Sequence, residues 1–137
     1  MTAAELFRRH LSLFGRTDAA ESAEIYAAEA SMDFPYAPQH HTQRLEGRDA
    51  ILRFLTRVGE FFDNIQIGEP TIHITNDPNV VVAEYPGSAV SKETKLPYTQ
   101  NYVSVVTVRN GQIVHIREYY NPVRVLVATG EIEEPGA

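Results

Sequence analysis

The 137 residues carry a formal charge of −6, with 43% hydrophobic and 22% charged side chains, a balance that fits one globular domain and excludes wholesale disorder. The arginines and lysines are scattered, so there is no basic stripe to displace phosphate counterions, and the absence of cysteine excludes disulfides, thiolate nucleophiles and Cys-based zinc sites. Glu5, Arg8, Arg9 and His10 interrupt the N-terminal apolar residues and no run reaches membrane-spanning length, so a cytoplasmic protein without a nucleic-acid or membrane partner is expected.

Thr2 followed three residues later by Glu5 is a capping box, and Leu6, Phe7, His10, Leu11 and Phe14 then recur at helical spacing until Gly15. Thr17 or Asp18 caps a second predicted helix carrying Ala23, Tyr26, Ala27 and Ala30, followed by an extended segment from Ser31 to Pro35. A loop with Pro38, His40 and His41 leads to a third helix, Gly47 to Phe62, with Ile51, Phe54, Leu55, Val58 and Phe62 on one side. Beyond it, β-branched and aromatic residues predict four strands: Ile65 to Ile74, Val80 to Ala89, Tyr98 to Arg109 and Gln112 to Tyr120. Asn110-Gly111 is a strong hairpin turn, and Pro86-Gly87 marks a bulge or bend where the sheet curls. Pro122 stops the last strand, Val123 to Ala128 forms a closing helical turn, and residues 131–137 make a loose acidic tail behind a single domain of residues 1–130. Helices first and a strand meander afterwards is an α+β arrangement, a curved antiparallel sheet packed on three helices around a conical hollow.

If Asn110 and Gly111 are the turn residues, Val103 opposes Glu118 and Asn101 opposes Tyr120. Alternation then places Asn101, Val103, Ile116, Glu118 and Tyr120 on the face assigned to the pocket. The other face, aromatic and mixed with charge, would suit a homodimer interface. A carboxylate among Val and Ile is desolvated and its pKa rises, so Glu118 is the candidate proton shuttle, with Asn101 as a hydrogen-bond donor to a developing oxyanion. The structural alternative is an ion pair between Glu118 and Arg48 or Arg53. Tyr26, Phe34, Tyr36 and Phe54 are candidate walls that would equally serve as plain core, and His40 and His41 belong to the expected mouth. Neither a His-x-His nor a His-Glu-x-x-His pattern occurs, nor a phosphate loop or dinucleotide fingerprint. Neither a metal nor a cofactor is therefore expected.

Asn110-Gly111-Gln112-Ile113 followed by Arg117-Glu118-Tyr119-Tyr120-Asn121-Pro122 resembles the SnoaL-like branch of the NTF2-like, ketosteroid-isomerase-like superfamily. Gly47-Arg48-Asp49-Ala50-Ile51 and Val82-Ala83-Glu84-Tyr85 are similar to that branch as well, and the likeness runs from the first helix to Pro122. It is nearest to the phenazine-biosynthesis A/B proteins and SnoaL-like cyclases. It implies an NTF2-like cone, an acid/base glutamate at Glu118, a pocket tyrosine at Tyr98, and Glu84 as a second acid or hydrogen-bond partner. The phenazine proteins carry His and Ser where this chain has Phe54 and Val58, implying a drier pocket here. The resemblance implies a cofactor-independent isomerase or cyclase acting on a small apolar cyclic or conjugated metabolite. A non-catalytic binding module and an epoxide hydrolase-like enzyme are the alternatives that the same superfamily offers.

Overall fold

The computed structural model describes residues 1–136. Helix α1 (Ala3–Leu11) opens with the Glu5 amide donating to Thr2 Oγ1 at 3.1 Å. Helix α2 (Ala19–Ile25) is capped by Asp18, which accepts from the Glu21 amide at 3.0 Å. The second helix is shorter than its apolar spacing predicts. Strand β1 (Tyr26–Asp33) starts at once, so Tyr26, Ala27 and Ala30 lie on a strand; alternation buries Ala30 and Met32, and a register shift between Tyr26 and Ser31 accompanies the burial of both neighbours Tyr26 and Ala27.

A short β2 (Arg44–Glu46) precedes α3 (Arg48–Phe61), which Gly47 admits at φ 90°, in the left-handed region that glycine enters without a Cβ clash. The predicted strand from Ile65 to Ile74 is two strands, β3 (Phe62–Ile67) and β4 (Thr71–Ile74), parted by Gly68-Glu69-Pro70. The long strands β5 (Val80–Ser91), β6 (Pro97–Arg109) and β7 (Gln112–Tyr119) follow, then helix α4 (Pro122–Ala128), whose cap Asn121 accepts from the Val123 amide.

The sheet runs β2-β1-β7-β6-β5-β3, with β4 also on β5. It is mixed rather than antiparallel, because the chain returns through α3 and the meander to lay β7 parallel to β1. Pro86-Gly87 does not break the register: Tyr85, Pro86 and Gly87 stay paired with Tyr102, Asn101 and Gln100. The change is on the other edge, where β5 exchanges β4, paired up to Glu84, for β3, paired from Gly87. Proline, lacking an N–H, stands at that handover.

The main core joins α1, α2 and α3 to the sheet through Leu6, Phe7, Ile25, Leu55, Val106 and Ile116, all fully buried. A second cluster, Ala89, Tyr98 and Ala128 with Phe62 and Val125 against them, lies under α4. Among the described residues no helix is long and apolar enough to cross a membrane.

Candidate active site

A cavity of about 570 Å³ opens between α3, α4 and the concave face of the sheet, drawing walls from both apolar clusters. That volume suits a small organic ligand. Phe34 and Phe54 face each other on one wall with ring centroids 5.2 Å apart, Val58 continues that wall along α3, and Tyr120 closes on Phe34 at 6.4 Å. Tyr98, Tyr102 and Glu118 are polar groups of the sheet wall, beside Ser88 and Ser91 of β5.

Glu118 is only 3% exposed and has no cation within salt-bridge distance among the described residues, so the expected alternative of an ion pair with Arg48 or Arg53 does not form. Arg48 instead reaches the carbonyls of Ala23 and Tyr26. Among the described residues the one hydrogen-bond partner of Glu118 is the Tyr85 hydroxyl, which donates to Oε1 at 3.0 Å. That hydroxyl also lies 2.7 Å from Ser104 Oγ; its proton being committed to Glu118, Ser104 is the donor to it. Burial pushes the Glu118 carboxyl up to about 7, against the smaller, opposing effect of the Tyr85 hydrogen bond. Oε2 has no partner among the described residues and remains for a ligand.

Tyr98 and Tyr102 form a second polar unit. Their hydroxyls are 2.9 Å apart, and the Gln100 amide donates to Tyr98 Oη at 3.1 Å. Gln100 is itself locked, donating to the Asn121 carbonyl and accepting from the Asn101 and Asn121 amides. Two phenolic protons serve one Tyr–Tyr hydrogen bond, so whichever ring donates, one O–H is left without a protein acceptor. Burial raises the pKa of both phenols, which keeps them protonated donors.

Of the residues that sequence reasoning placed at the site, the cavity brings together Glu118, Tyr98, Phe34, Phe54, Val58, Tyr120, His40 and His41. Others lie elsewhere. Asn101 and Val103 point out from the convex face, because β7 carries one extra residue, Val114: Val108 pairs with Ile113 but Thr107 pairs with His115. That bulge makes Ser104, not Val103, the neighbour of Glu118 and puts the even-numbered residues of β6 inside. It also brings Tyr98 onto the inner face. Glu84 is on the outer face, hydrogen-bonded at 2.7 Å to His73. Tyr26 is wholly buried beside His10 in the core, Ile116 is core as well, and Tyr36 is exposed against Tyr119. The parity error concealed Tyr85, Ser104, Gln100 and Tyr102; only the alternation of β5, set against a bulged β6–β7 pair, could have signalled them.

Comparison with known proteins bears on this arrangement. A family model described as a SnoaL-like domain matches residues 7–116. The chain belongs to the SnoaL-like family. A relative from Pseudomonas aeruginosa, a PhzA/B-like protein, is 31% identical over 133 residues, covering 97% of this chain and 94% of its own. A solved Bacillus subtilis structure, described as a candidate isomerase, is 32% identical with a TM-score of 0.83, covering 95% of this chain and 94% of that one. An NTF2-like protein from Burkholderia xenovorans superposes with a TM-score of 0.78 at 20% identity, covering 94% and 98%, and supports the NTF2-like cone alone.

Proposed function

We propose that this SnoaL-like protein is a cofactor-independent acid–base isomerase or cyclase acting on a small apolar, cyclic or conjugated carbonyl compound. The observation that carries the reading is Glu118: a buried, unpaired carboxyl with a pKa of about 7 and a free oxygen at the wall of an apolar cavity. A group poised near working pH takes up and returns protons with equal ease. In the proposed reaction Glu118 Oε2 removes a proton from the carbon next to a carbonyl. The C–H electron pair moves into the carbonyl, giving an enolate whose oxygen accepts the unshared O–H of the Tyr98–Tyr102 pair. The electrons then return either to a distal carbon, which takes the proton back from Glu118, or to a second carbonyl of the same molecule, closing a ring. In the second case the new alkoxide takes that proton. The Ser104–Tyr85 chain holds the carboxylate from behind and adds no net charge.

The reading is tested with a panel of cyclic β,γ-unsaturated ketones and β-diketones incubated in D2O, with α-proton exchange followed by NMR. The wild type is expected to accelerate exchange of those it binds, and Glu118→Gln to lose about 10²–10⁴-fold of that rate while still binding. Ligands that bind without exchange in the wild type, or exchange that survives Glu118→Gln, would sink the proposal.

A further inference from the structure

The loop that follows Phe34 carries His40 and His41 to the mouth of the cavity. It is a built loop: the Gln43 side-chain amide donates to the carbonyls of Ala37 and Pro38 at 3.0 and 2.7 Å, and the His41 amide donates to Pro38 O at 2.9 Å. From the other side, the chain leaving α4 turns back at Gly130, φ 77°, so that the Glu131 amide reaches Leu126 O at 2.9 Å. The turn aims the Glu131 carboxylate at the two histidines. His41 Nε2 lies 2.9 Å from Oε1, His40 Nε2 touches Oε2, and the three ligand atoms all fall within 4.8 Å of one another. Thr129 Oγ1 donates to Oε1 at 2.6 Å and fixes the carboxylate's orientation.

Two imidazole Nε2 atoms and one carboxylate converging from separate elements is a metal-ligating donor set. First-row divalent cations bind such nitrogens and oxygens at about 2.0–2.2 Å. Ligand atoms already at hydrogen-bond separation need only a small opening to admit an ion. The outer-sphere hydrogen bond from Thr129 is the type of contact that holds a ligating carboxylate in place. The other histidine–carboxylate pairs, His73–Glu84 and His115–Asp33, each offer a single histidine.

We propose that His40, His41 and Glu131 form a binding site for a first-row divalent cation of the zinc type. Three protein ligands leave a coordination position at the cavity mouth for water or for an oxygen of a bound molecule. The ion also ties the residues after α4 to the loop in front of the pocket. The site does not use Glu118 and stands apart from the proton-transfer chemistry.

Zinc chloride titrated calorimetrically into the metal-free 137-residue chain is the test. The expected result is one ion per chain with micromolar affinity, and an apparent melting temperature that rises with zinc. Glu131→Gln and the double variant His40→Ala/His41→Ala should each weaken binding at least about tenfold. Thr129→Val, acting through the outer sphere, should weaken it by about 10–100-fold. Glu118→Gln should bind as the wild type does. His40, His41, Thr129 and Glu131 lie on loops or at a helix end, so the melting curves of their variants without metal should be nearly unchanged. Absence of binding in the wild type overturns the proposal. So does wild-type affinity in both Glu131→Gln and the histidine double variant, which would place the ion elsewhere.

Discussion

Tyr98 and Tyr102 share protons in a way that sets what each can lose. Tyr98 accepts from Gln100 and faces Tyr102 at 2.9 Å, so either ring can hold the spare O–H. Tyr98→Phe leaves Tyr102 with a free proton, and Tyr102→Phe leaves Tyr98 with one. Each single variant therefore keeps a donor, displaced but present, and is expected to lose about tenfold or less in turnover of an exchangeable ketone. The double variant has no donor and should lose about 10²–10³-fold, the usual effect of removing an oxyanion donor. That excess over the product of the singles is the signature of a shared proton. Independent, additive losses would assign the oxyanion contact to one ring alone. Asn101 cannot substitute for either, since it lies on the opposite face of β6.

At the scale of strands, one glycine decides how the tyrosines pack. A Cβ at Gly87 would lie 2.7 Å from Tyr102 Cε2 and 3.4 Å from Ile67 Cδ1. Tyr102 leans over that bare backbone and stacks on Tyr85, with centroids 5.1 Å apart and planes 16° apart. Gly87→Ala must push the Tyr102 ring off the strand. It should cost about 1–3 kcal/mol by urea unfolding and perturb the Tyr98–Tyr102 hydrogen bond, visible as a shift in tyrosine ring NMR signals. Unchanged stability and ring signals would show that the ring has room to move. The strands themselves were legible from β-branched runs and from Asn110-Gly111, and so were the cap of α1 and the stop at Pro122. The glutamate was legible too, because Glu-Tyr-Tyr-Asn-Pro resembles a family ending. What was not legible followed from one residue. Val114 is inserted in β7 with no glycine to announce it, and a one-residue slip turns every side chain of β6 to the other face. The convergence of Glu131 on His40 joins positions about ninety apart and has no local pattern at all.

Across the whole molecule, two buried titratable groups act on stability in opposite directions. His10 is wholly buried among Phe7, Phe14 and Tyr26, and Nε2 has no partner among the described residues, so desolvation pushes its pKa down to about 3. The unfolded chain binds the proton that the fold refuses, so stability falls as pH drops below about 6.5, the ordinary histidine value. Glu118 works the other way. Its folded pKa of about 7 exceeds the ordinary 4.5, so the fold holds a proton that the unfolded chain releases, and stability falls as pH rises from 4.5 to 7. Each slope is about 1.4 kcal/mol per pH unit, so between 4.5 and 6.5 the two cancel. Below 4.5 the His10 loss is no longer offset, and Asp33 adds to it, because burial raises its pKa but hydrogen bonds from Arg44 and His115 together hold it below the ordinary value. The wild type should therefore show a flat stability plateau from about pH 4.5 to 6.5 and a shallow decline to pH 7. Glu118→Gln removes one slope, so its stability should climb through that window and end about 3 kcal/mol above the wild type at pH 8. Urea midpoints taken every half unit from pH 3 to 9 decide it. Parallel curves for the two proteins would remove the desolvated glutamate, and a flat Glu118→Gln curve between 4.5 and 6.5 would remove the histidine.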